Sequence, residues 1–187
     1  MELEPLIHFV APFVVLAPLG VELRKALPIS LLALLPDLDA LFLVHRSLSH
    51  SIVIALAVMV PLLLLTYRFK PRLLGYALLA TFTVASHMVL DLFSGYTPIL
   101  WPFCDHSVWV QAWLTVHVGS SLSLALSARL LAKPATFQLL QSLDAPLFTG
   151  EGLILSLILL VPVLLEAVKK HPSVKRVYVK NTRVSLK

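Results

Sequence analysis

The feature that most constrains this chain is a series of apolar runs, each long enough to enter a lipid bilayer, at residues 6–20, 26–44, 51–67, 73–93, 108–131 and 152–168. About 17–25 apolar residues span the hydrocarbon core as a helix. A weaker run, FQLLQSLDAPLF, lies within 134–149. Only 13% of the residues are charged, so the chain lacks the polar surface to cover a globule in water. Mean hydropathy is +0.90, in keeping with that. The expected fold is all-α, a polytopic transmembrane helix bundle of about 6–7 membrane segments. Strands are not expected: the runs exceed the ~10-residue strands of a membrane barrel, and an open sheet edge leaves backbone groups unsatisfied in lipid. No internal repeat is evident, so the reading is one membrane domain over 1–168 and a basic tail over 169–187.

The chain starts MELEPLIHFVAPF, acidic where a secretory signal is basic, so the first apolar run is expected to belong to the mature protein. A single cysteine, Cys104, excludes an intrachain disulfide and a cysteine-based zinc site. The formal net charge is +5, and the stretch KKHPSVKRVYVKNTRVSLK supplies much of it. Beside a membrane helix such a tail marks the cytoplasmic side and touches anionic lipid; no nucleic-acid partner is expected.

Basic residues follow alternate runs: Arg24 and Lys25, then Arg68, Lys70 and Arg72, then Arg129 and Lys133, then Lys169 and Lys170. The positive-inside rule assigns all four clusters to the cytoplasm. The scheme alternates with the N-terminus outside and the C-terminus cytoplasmic, provided 134–149 crosses or re-enters a cell membrane. The opposite ends carry His8, Asp37, Asp39, His45, Arg46, His50, His87, Asp91, Asp105, His106 and Glu151. The charge rule made no use of the histidines and carboxylates, so their convergence on one face is a partly independent observation. Pro36 is expected to break its segment there, leaving irregular backbone around a polar cavity.

His87 and Asp91 stand four apart, on one face of a helix, and offer half of a metal's coordination sphere. Asp37 and His50 supply the other half. His8 completes a second site with Asp91 as the bridge, and Asp39 orients a ligand, reaches that second metal or accepts a proton. Singly, each residue has a plainer role: a helix-to-helix hydrogen bond, an ion pair or a turn. Together, three carboxylates in low dielectric need more positive charge than Arg46 provides, and a divalent cation supplies it. Zinc is the first choice, one or two ions, with manganese or iron also suited to His and Asp donors. Arg46 has two readings, a side chain that snorkels to the head-group region or, preferred because it lies between candidate ligands, a planar fork for a phosphate oxygen. Ser49 and Ser51 are candidate donors to these ligands, or Ser49 a helix cap. Trp101, Trp109 and Trp113 read as an interfacial belt. His45, His106, His117 and Glu151 are secondary candidates, His117 as a helix-to-helix partner and Glu151 as the cap of a helix starting at Gly152.

In order, His8, Pro36-Asp37-Leu38-Asp39, His45-Arg46-Ser47-Leu48-Ser49-His50-Ser51, His87 to Asp91, Gly95 and Trp101-Pro102 resemble the pattern of the membrane-bound metal-dependent hydrolases. Bacterial members of that family include an SOS-regulated inner-membrane protein. The family is in turn similar to zinc-dependent phospholipase C and P1-type nucleases, helical enzymes that cleave phosphate esters with three metals. The shared order falls here on His8, Asp37, His50, His87 and Asp91. The third metal of those enzymes uses two later histidines and a Glu. His106 and His117 match the histidines, but Ser121 stands where the Glu falls, so at most two metals are expected.

The resemblance implies a phosphoesterase acting on a membrane lipid or lipid-linked phosphate, with Asp39 and Arg46 in catalytic roles. Two other classes fit the same residues: a divalent-metal transporter, and a structural membrane protein whose metal staples helices. Metal flux into liposomes separates the first of these. A coordination shell filled by protein alone favours the second.

Overall fold

The computed structural model describes residues 5–118, 122–139, 141 and 149–170. Three helices, α1 (Pro5–Leu16), α2 (Leu23–Leu31) and α5 (Gly150–Lys170), meet around Phe13, Leu16, Ala26, Ile29 and Val163, the buried apolar cluster. Two further helices, α3 (Ile52–Phe69) and α4 (Leu74–Ser94), form a helical hairpin. Lys70 and a 3-10 turn over Pro71–Leu73 join them. Proline lacks the N–H that would carry α3 onward, and the residue before it is pushed to extended backbone, as Lys70 is at φ −140°. None of α3's residues is buried. A helix apolar on all sides that packs along one flank only presents the rest of its surface to hydrocarbon.

The expected all-α bundle of six or seven spans is corrected in three places. Among the described residues, two stretches are long and apolar enough to cross a membrane, Ile52–Phe69 and Pro71–Ser94. Helix α1 and Gly150–Leu165 are apolar but shorter. The segment expected at 26–44 is not one helix. After α2 it tightens into 3-10 turns over Leu32–Leu34 and Pro36–Phe42, and Leu43 closes it in the left-handed region at φ 56°. Pro36 interrupts the ladder, as its chemistry implies, and Asp37 and Asp39 favour turns over helix.

The third correction is the largest. The segment expected at 108–131 is an antiparallel hairpin of strands, paired from His106↔Pro134 to Val118↔Leu122. Two short strands flank it in the chain, so the order is β1 (Val44–His45), β2 (His106–Val118), β3 (Leu122–Pro134) and β4 (Gln138–Leu139). The physical reason is a period of two. Even positions of β2 read Val108, Val110, Ala112, Leu114, Val116 and Val118, while odd positions include Gln111, Thr115 and His117. In β3, Leu122, Leu124, Leu126 and Leu130 alternate with Ser123, Ser127 and Arg129. Such alternation builds a two-faced ribbon, not a helix. The objection about unpaired edges in lipid applies within the hydrocarbon. Here the hairpin is tied to the end of α4, by the Thr97↔Val108 bridge and by Trp109 Nε1 donating to the Phe93 carbonyl at 3.2 Å.

Strand β4 pairs with β1, Val44 facing Leu139 and His45 facing Gln138. The rest of the expected crossing at 134–149, residues 140 and 142–148, and the basic tail past Lys170 lie outside the described residues.

Candidate metal centre

The last turns of α4 and the first of α3 share one end of the helical hairpin, opposite the Arg68–Arg72 turn. His87 and Asp91 lie on one face of α4 near its C-terminus, and Ser94, three residues on, continues that face. His50 ends a 3-10 turn over Leu48–His50, directly before α3. Ser51 fixes that junction. Its hydroxyl accepts from the Ile54 N–H and donates to the Trp101 carbonyl, while the Ile52 N–H donates to the Ile99 carbonyl at 3.0 Å. The Trp-Pro loop therefore clamps the start of α3, and Ser51 rather than Ser49 is the helix cap. Asp37 and Asp39 come from the 3-10 turn after Pro36, and His8 from α1.

These elements bring four donor atoms together. His50 Nε2 lies 3.4 Å from Asp37 Oδ1 and 3.2 Å from Asp91 Oδ2. His87 Nε2 lies 3.4 Å from Asp37 Oδ1 and 3.2 Å from Asp91 Oδ2. Donors held ~2.0–2.1 Å from a tetrahedral ion stand about 3.3 Å from one another. His87 Nε2 and Asp91 Oδ2 are buried and make no hydrogen bond. Buried polar atoms are rarely left so, and atoms pointing at a common centre are the natural exception. The donor set fits a divalent metal.

His8 sits behind His87, the rings 4.0 Å apart and tilted by 31°. Its Nε2 is 3.5 Å from Asp91 Oδ1, so Asp91 turns one oxygen to His50 and His87 and the other to His8. Asp39 holds the far side of His50. Its Oδ2 lies 3.3 Å from His50 Nδ1 and accepts from the Ser47 N–H at 3.0 Å, the Ser47 hydroxyl at 2.8 Å and the Ser49 hydroxyl at 2.8 Å. With Nδ1–H turned to Asp39, Nε2 is left to offer its lone pair. His45 Nδ1 is 3.5 Å from Asp39 Oδ1.

Arg46 adopts φ 53°, a left-handed conformation that carries its side chain inward. Its Nη2 donates to Ser94 Oγ at 2.7 Å and lies 3.9 Å from Asp91 Oδ1. The guanidinium lies against Gly95, where an added Cβ would come within 2.0 Å of Nη1. Ser94 was not singled out by the sequence reading. Its i+3 spacing from Asp91 was the available signal.

Three carboxylates against one guanidinium, with the imidazoles neutral as ligation requires, leave two negative charges, the complement of one divalent ion. In the loop ahead of the spans the field shows in two groups. Burial by itself would raise the Asp39 carboxyl, but the adjacent His45 and His50 imidazoles and the Ser47 N–H hold it well below the usual carboxylate range. Burial would lower His50, but Asp37, Asp39 and Asp91 raise it to about 9.

The structure thus brings His8, Asp37, His50, His87 and Asp91 together, with Asp39, His45 and Arg46 around them. It leaves the other candidates apart. His106, exposed at the start of β2, pairs with its neighbour Asp105 at 2.7 Å, and His117 is exposed further along β2. Glu151 is exposed in the first turn of α5, where the Thr149 hydroxyl accepts from the Gly152 N–H.

A family model described as YdjM inner membrane protein matches residues 4–170. Neither the curated proteins nor the solved structures contain a match.

Proposed function

The chain belongs to the YdjM inner membrane protein family, and from that premise we propose that it is a membrane-bound, metal-dependent hydrolase cleaving a phosphate ester of a lipid or lipid-linked substrate. The observation that carries this reading is the set of four donors, Asp37 Oδ1, His50 Nε2, His87 Nε2 and Asp91 Oδ2, in which each imidazole nitrogen lies 3.2 to 3.4 Å from both carboxylate oxygens. Zinc suits them best, with manganese or iron as alternatives. When bound, such an ion supplies Lewis acidity and a water acidic enough to ionise near neutral pH.

The chain's own residues then have distinct tasks. Asp39 fixes the tautomer and direction of His50. Arg46, tied to Ser94, offers a planar cation beside Asp91, suited to a phosphoryl oxygen. Asp37 is the most exposed ligand, its side chain 22% accessible, and marks the side from which substrate enters. On the positive-inside rule the Arg68–Arg72 turn is cytoplasmic and the centre faces the other leaflet, at head-group level. The order His8, Asp37, His50, His87, Asp91, similar to that of zinc-dependent phospholipase C and P1 nuclease, is further support for phosphate-ester chemistry.

One observation favours a second reading. Four protein donors match the number in a closed structural zinc site, and a metal that only staples α4 to the preceding loops fits that too. The test is hydrolysis of a phospholipid and phosphomonoester panel by the purified full chain with added zinc or manganese. Loss of turnover in His50→Ala with Asp91→Ala, and in Arg46→Ala with metal retained, is expected of a hydrolase. Turnover that survives the double substitution in folded protein overturns the proposal. Metal that raises the melting temperature while no substrate turns over leaves the staple.

A further inference from the structure

At the opposite end of the helical hairpin, about 16 Å along α4 from His87, lies a groove of about 610 Å³. Ile29 and Leu32 form one wall, Leu65 and Phe69 of α3 another, and Tyr76 and Ala80 of α4 the third. Its lining is almost wholly apolar, and Lys70 stands at its edge. The groove takes no part in the metal centre or the chemistry proposed for it.

Two further observations say what fits there. Two of the walls belong to the stretches long enough to cross a membrane, so the groove opens toward acyl chains rather than bulk water. Its rim is basic. Arg68, Lys70 and Arg72 fall within five residues of the turn. Lys70 and Arg72 have no ion-pair partner among the described residues, whereas Lys25 nearby is held by Glu22 at 3.1 Å. We propose that this groove is a binding site for an anionic phospholipid, one acyl chain lying along Leu65, Phe69 and Ala80 and the phosphate head group between Lys70 and Arg72. Apolar lining fixes the chain, and the unpartnered cations choose the head group.

The experiment is native mass spectrometry of the detergent-solubilised full chain, offered equal amounts of phosphatidylglycerol and phosphatidylcholine. The site predicts one retained phosphatidylglycerol in clear preference to phosphatidylcholine. Lys70→Glu lowers that preference by about fivefold or more, the effect of one basic side chain near an anionic head group. Ala80→Trp, which fills the groove and leaves the rim intact, abolishes retention. Leu65→Trp fills it from the opposite wall and repeats the test should Ala80→Trp lose helix content by circular dichroism. Equal retention of the two lipids overturns the proposal. So does a preference that survives the Trp substitutions, since the lipid then sits elsewhere, for example on the basic tail.

Discussion

Asp39 and His50 form a carboxylate–imidazole pair, Oδ2 to Nδ1 at 3.3 Å, on the side of the ring turned away from Asp37 and Asp91. The carboxylate is itself fixed by three donors from Ser47 and Ser49. Asp39→Asn keeps the shape and removes the charge that aligns the ring. Metal affinity is expected to fall about 10–100-fold with helix content unchanged. Competition with a chelator of known affinity measures this, and an unaltered constant ends the positioning role.

Gly95 is required by space. Its backbone is extended, which any residue accepts, but a methyl group there collides with Arg46 Nη1. Gly95→Ala is expected to push the guanidinium off Ser94 and to cost roughly 1–3 kcal/mol of stability through overpacking. Phosphoesterase turnover should drop further than metal content does. A variant as active and as stable as the parent would show that Arg46 has room to move.

Metal binding should depend on pH. In the metal-free protein three carboxylates hold the His50 proton up to about 9. An ion on Nε2 displaces that proton, so apparent affinity falls as pH drops below 9, about tenfold per unit for one displaced proton, and levels off above it. Calorimetric titration in two buffers of different ionisation enthalpy counts the protons released. Affinity constant between pH 6 and 9 contradicts the proposed ligand.

The β2–β3 ribbon makes a prediction that a helix cannot. Cysteines placed singly at positions 122 to 127 should show maleimide reactivity that alternates with a period of two. Reactivity repeating every three to four residues would instead indicate a helix across this stretch.

The cluster of His and Asp side chains was legible in the sequence because such residues are out of place in apolar runs. A histidine and an aspartate four apart in an apolar run have few reasons to exist, and His87 with Asp91 pointed to Asp37, His50 and His8. The role of Pro36 was legible for the same reason, since it has one mechanical effect on a helix. The hairpin was missed because length and hydropathy were weighed over residues 108–131 and period was not. Val, Leu and Trp raise hydropathy equally in either structure, and only the polar residues at odd positions separate the two. The Arg46 contact depended on a left-handed backbone at a non-glycine residue, which no local pattern announces.

The five clustered ligands come from four separate stretches: α1, the turn after Pro36, the junction before α3, and the end of α4. Of these stretches, α4 leaves the ribosome last, so no arrangement of the earlier ones can hold an ion as the finished centre does. An ion bound by the proposed centre would therefore act as a latch on the assembled N-terminal half. A cell starved of that metal should lose the protein to its membrane proteases before it loses any activity the protein has.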